Sequence, residues 1–126
     1  MNRLIFAAAA LLVMPSALLA ARGDMNLTQF LAMADELQAQ GPMALLSPDL
    51  ELLKGEGKAA GETYRARLIG ERAAGRPSSC PPDNAQIVPG ELVTFLKKYP
   101  ARLRPRITIR QGVADYFIRK YPCARH

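Results

Sequence analysis

Two thiols and one imidazole, Cys80, Cys123 and His126, carry the readiest covalent chemistry in this 126-residue sequence. A thiolate nucleophile needs a base within hydrogen-bond reach and a third group to orient that base. Cys80 stands directly before Pro81 and Pro82, and the single histidine is the terminal residue of the sequence, so Cys–His catalysis is the weakest use of these groups. A zinc site asks for three or four ligands at defined spacing, and two widely separated cysteines with one terminal histidine do not provide them. No GxSxG, P-loop or GxGxxG pattern is present. Glu56, Glu62 and Glu71 are interspersed with Lys58, Arg65, Arg67 and Arg72 and read as surface ion pairs. Arg22-Gly23-Asp24 spells an integrin-type tripeptide, a triplet that arises often by chance. The expectation is no catalytic site, no metal, no cofactor and no enzyme activity.

The thiols have a structural use that depends on compartment. Arg3 precedes eleven unbroken apolar residues, Leu4 to Met14, then Pro15-Ser16 and small residues. That order predicts a secretory signal over residues 1–21, cut after Ala20, Ala21 or Gly23. A membrane-spanning helix wants roughly 20 apolar residues, about twice this run, which leaves an uncleaved anchor as the alternative. Residues 24–126 then form one domain. An exported chain with two cysteines favours a Cys80–Cys123 disulfide closing a loop of about 44 residues. Two free thiols in a reducing cytosol are the alternative.

Four helices are expected to position these groups. Asn26 caps a first helix with Leu27, Phe30, Leu31, Ala34 and Leu37 at helical spacing, ended by Gly41-Pro42. Ser47-Pro48-Asp49 opens a long helix to about Ala74 with an inward stripe of Leu50, Leu53, Gly57, Ala60, Tyr64 and Leu68. Gly57 and Gly61 predict a tight helix crossing; a break between Gly55 and Gly61 is the alternative. Residues 75–84 form an irregular Pro- and Ser-rich connector. Pro89-Gly90-Glu91 opens a third helix bearing Leu92, Val93, Phe95, Leu96 and Tyr99, closed by Pro100. A last helix from Thr108 to Tyr121 buries Ile109, Val113, Phe117 and either Ile118 or Tyr121. Ile107 and Ile109 alternate with polar residues and leave room for one short strand turn, with no second β segment to pair it. The fold expected is a small all-α, four-helix domain with one disulfide clamping the last helix pair.

Charge is unevenly spread. The stretch from Asp24 to Leu53 carries five acids and no base, whereas Lys54 to His126 carries 15 bases and 6 acids. The densest part holds Lys97, Lys98, Arg102, Arg104, Arg106 and Arg110 with no acid among them. Such a field attracts an anionic partner; it could also hold the acidic first helix of the same chain or of a second copy, or stay a solvated face. Few aromatics and no recognisable motif argue against nucleic acid.

The run Cys80-Pro81-Pro82-Asp83, Pro89-Gly90-Glu91-Leu92-Val93, Lys98-Tyr99-Pro100-Ala101-Arg102-Leu103 and Tyr121-Pro122-Cys123 resembles the resistance-associated-protein/Tai immunity family. The resemblance covers residues 80–123. It implies a small, exported, α-helical, disulfide-bonded periplasmic protein, often a homodimer, that binds and blocks a peptidoglycan amidase delivered by type VI secretion. The two clamp cysteines carry over by position. No inhibitory motif does, so Lys97, Lys98, Arg102, Arg104 and Arg106 are candidate partner-binding residues on charge alone. A stand-alone periplasmic structural or stress protein on anionic envelope surfaces is the competing expectation. After signal removal no stable membrane insertion is expected.

Overall fold

The computed structural model describes residues 22–124; the signal expected over residues 1–21, and His126, lie outside them. Within them the fold is all-α. Helix α1 spans Leu27–Gln40, α2 Pro48–Ala73, α3 Pro89–Leu96 and α4 Ile109–Lys120, with 3-10 turns at Gly41–Leu46 and Arg104–Arg106.

Local chemistry explains the helix boundaries. Asn26 Oδ1 accepts from the Gln29 amide at 2.9 Å and starts α1. Gly41 ends it at φ +58°, backbone that side-chain-bearing residues avoid. Ser47 caps α2, and Pro48 fills a first-turn position where its missing N–H costs nothing. Thr108 and Gln111 form a reciprocal capping box at the start of α4. α2 runs unbroken through Gly55, Gly57 and Gly61 over 26 residues. α3 stops at Leu96, and turns rather than helix carry the chain to Pro100.

Leu27, Phe30, Leu31 and Leu37 of α1 meet Leu53, Ala60, Tyr64 and Leu68 of α2, Leu92 and Leu96 of α3, and Ile109, Val113, Tyr116 and Phe117 of α4 in one core. The α2–α4 contact is the broadest between helices and centres on Tyr64 stacked on Phe117, ring centroids 5.5 Å apart. Phe117 also meets Tyr116 edge-on at 5.4 Å, and Tyr116 meets Phe95 at 5.9 Å. These offset and edge geometries suit the aromatic quadrupole.

Three expectations are corrected. The close approach is not at Gly57, where an added Cβ would meet nothing within 4 Å, and at Gly61 it would touch only the Ile87 side chain, at 3.3 Å. It is at Gly112, where a Cβ would lie 2.5 Å from Leu96 Cδ2 and 3.4 Å from Leu27, so α4 packs hard against α1 and α3. Glu56 is not a surface residue: it is 7% exposed and occupies the inward position expected for Gly57. The alternating stretch at Ile107 and Ile109 does find a partner. It is the chain just before α1, through an isolated antiparallel bridge between Asn26 and Thr108.

That partner segment is tied down from two sides. Glu56 Oε2 accepts the Gly23 amide at 2.7 Å and the Met25 amide at 3.3 Å. Met25 and Ile107 carbonyls accept from Ile109 and Leu27, and the Gly23 carbonyl accepts from Arg110. The Arg110 guanidinium reaches Asp24 at 3.1 Å and the Arg22 carbonyl at 3.2 Å. Gly23 is buried at φ +95°, so the Arg-Gly-Asp triplet is part of the packing and not a free loop tip.

Candidate functional site

The disulfide forms between Cys80 and Cys123, so both thiols are spent on each other. Cys80 lies in the connector before α3 and Cys123 just after α4. The Cys80 amide donates to the Tyr121 carbonyl at 2.8 Å. The connector is held to α2 by a polar chain that its Pro- and Ser-rich composition does not reveal. Ser78 donates its N–H and O–H to Glu71 Oε1 at 3.0 and 2.5 Å, and Arg67 Nε donates to Glu71 Oε2 at 2.8 Å. The Tyr64 hydroxyl bonds Ser78 Oγ at 2.9 Å and fully buried Ser79 Oγ at 2.5 Å. The Ser78 hydroxyl, then Arg67, hold the Glu71 carboxyl down at about 2. Glu71 makes the i,i+4 ion pair with Arg67 that helical spacing suggested and adds the Ser78 bonds to it, whereas buried Glu56 makes no such pair. A carboxylate followed seven positions on by the first Ser of a Pro-Ser-Ser stretch is the signal that could have pointed to this chain.

The five candidate cations of the α3–α4 link divide into two groups. Two face inward. Lys97 Nζ bridges to Asp35 of α1 at 2.7 Å. Arg104 donates to the Tyr99 carbonyl at 3.0 Å and the Lys97 carbonyl at 2.8 Å. These bonds fold the link back on α3 and staple it to α1. Lys98, Arg102 and Arg106 remain exposed without a carboxylate partner among the described residues.

Two adjoining depressions, of about 520 and 280 Å³, share a wall made by Tyr99 and Asp115. Lys98 and Arg119 flank the first; Arg106, Arg67 and Gln111 flank the second. The Tyr99 hydroxyl donates to Asp115, and burial followed by the Asp115 carboxylate raises the Tyr99 phenol above its usual range. Arg67 and Arg119 join this face only through tertiary packing. Arg119 is four residues from Asp115 and could have been drawn in by that spacing. Next to it, Lys120 and the Tyr116 hydroxyl both donate to Glu91, which lowers that carboxyl and fixes α3 against α4. The arrangement is a firmly held basic surface with an apolar floor of Phe95, Ile118 and Pro122. It suits recognition of an acidic surface.

Among the described residues no three His, Cys, Asp or Glu side chains gather as metal ligands, and no helix is long and apolar enough to cross a membrane. No protein-family model, curated protein or solved structure matches the chain.

Proposed function

We propose that this chain is an exported, non-enzymatic interaction protein of immunity type, which binds a cell-wall amidase through the basic face around residues 97–106 and blocks it sterically. The observation that carries the reading is the stapled link. Lys97 and Arg104 are consumed in holding it, while Lys98, Arg102 and Arg106 are presented to solvent. A recognition loop held in place before binding loses little ordering entropy on association. The disulfide fits an oxidising compartment such as the periplasm, and the Cys80 to Cys123 pattern supplies the resemblance to the immunity family.

The test is co-purification with, and inhibition of, a secreted peptidoglycan amidase encoded beside this protein. Reversing Lys98, Arg102 and Arg106 to Glu should weaken inhibition at least tenfold, because steering and contact charge both change sign. Undiminished inhibition by the triple variant removes the basic face from the reading; no binding by the parent chain removes the function. The unpaired cations also favour a second reading, binding to anionic envelope surfaces. That binding would collapse between low salt and 0.5 M salt because exposed charges are screened, whereas a buried protein interface would persist.

A further inference from the structure

A second concave surface lies away from the basic face. α1, α2 and the chain entering α3 enclose a groove of about 590 Å³, floored by Phe30, Leu37, Leu53, Ile87 and Leu92. That volume is in the range of small-molecule sites, which are apolar with a few placed polar groups. The polar groups here are on one rim. Lys54, Lys58 and Arg65 of α2 line it with a single acid, Glu62. Lys54 bridges to Glu51 at 3.4 Å; Lys58 and Arg65 pair with no carboxylate among the described residues. At Gly57, in the groove wall, the space beside the backbone is open for at least 4 Å.

We propose that this groove binds a single-chain anionic amphiphile, a long-chain carboxylate, with its tail on the apolar floor and its headgroup on Arg65, at one end of the α2 wall. Charge complementarity sets the sign of the head. Length sets the tail: from Arg65 back to Leu50 the α2 wall extends roughly 22 Å at 1.5 Å per residue. An extended chain advances about 1.2 Å per bond, as a peptide backbone does, so the wall matches about 18–20 carbons. The proposal is independent of amidase binding, so either can fail while the other stands.

The test uses the exported, disulfide-bonded protein stripped of bound lipid. The probe is a dansyl-labelled undecanoate, displaced by unlabelled carboxylates of about 8 to 22 carbons. Affinity should rise by up to about fourfold per methylene and level off near 18–20 carbons. Dodecanol should bind at least tenfold more weakly than dodecanoate. Gly57→Leu should abolish binding at an unchanged helical signal. Lys58→Glu with Arg65→Glu, both on exposed positions, should weaken dodecanoate tenfold and leave dodecanol unaffected, which keeps the test decisive should the leucine disturb folding. No displacement at millimolar carboxylate would overturn the proposal. So would affinity indifferent to chain length and to both variants, or a groove that takes an acidic amphipathic peptide which dodecanoate fails to displace.

Discussion

Glu56→Ala is expected to be among the most damaging single carboxylate changes in the molecule, although the residue sits in an ordinary run of helical charges. Its Oε2 accepts the Gly23 amide at 2.7 Å and the Met25 amide at 3.3 Å from a 7% exposed position. Hydrogen bonds to a charged group contribute about 1.5–3 kcal/mol, and a buried donor left unpaired costs about 1–3 kcal/mol. One strong and one long bond, with Gly23 left unpaired, give a loss of about 2–4 kcal/mol on this scale. For a domain near 100 residues each kcal/mol is about 4–8 °C in melting temperature, so the expected drop is roughly 10–30 °C. Glu56→Gln keeps one acceptor oxygen and the shape, and should cost about 1 kcal/mol. Glu62→Ala, exposed on the same helix, should stay within about 0.5 kcal/mol. Thermal unfolding followed by circular dichroism orders the three. Amide exchange gives the mechanism, since the Gly23, Met25 and Ile109 amides should lose protection in Glu56→Ala before the α4 interior does. Equal effects of Glu56→Ala and Glu62→Ala would refute the reasoning and mean that the pre-helix segment is held by Arg110 and the bridge alone.

Further outcomes follow from other contacts. Cys123→Ser removes a cross-link between residues 43 apart, and the chain-entropy model gives a loss of about 4 kcal/mol; coincident urea midpoints for the parent and the variant would contradict it. Gly57→Ala should stabilise by up to about 1 kcal/mol through helix propensity alone, whereas Gly112→Ala should destabilise by about 1–3 kcal/mol through overpacking against Leu96; parallel melts that rank them the other way would reassign the tight crossing. The Glu71 carboxyl lies at about 2 against an ordinary 4.5, a depressed value. Its contribution is therefore present in full above about 4.5 and lost as pH falls from there toward 2. Glu71→Gln should flatten the acid limb of the stability–pH curve, and an unchanged limb would show that the Ser78 contact is not maintained in solution.

The likeness between expectation and structure is greatest where the forces are local. Asn26, Ser47-Pro48 and Thr108 start their helices where a short polar side chain or a proline satisfies the first turn, and Gly41 stops α1 where positive φ is needed. The disulfide was legible because it depends on two residues and a compartment. The basic link was legible as charge, but not as a device. Nothing local distinguishes Lys97 and Arg104, which are consumed in staples, from Lys98, Arg102 and Arg106, which are free.

Composition and periodicity by themselves determined an all-α chain, its helix starts, its core stripes, its covalent clamp and the sign of its charge, because caps, period and net charge are properties of neighbours along the chain. Tertiary structure alone decided which carboxylate is buried, which glycine is indispensable and which cations face solvent. A one-position rotation about α2 exchanges Gly57 for Glu56 at the core, and that rotation is set by what α4 and the pre-helix segment present. Those partners lie 30 or more residues away, for example 33 for the Gly23–Glu56 bond. No pattern within a single helix encodes a contact that exists only when the second surface has arrived.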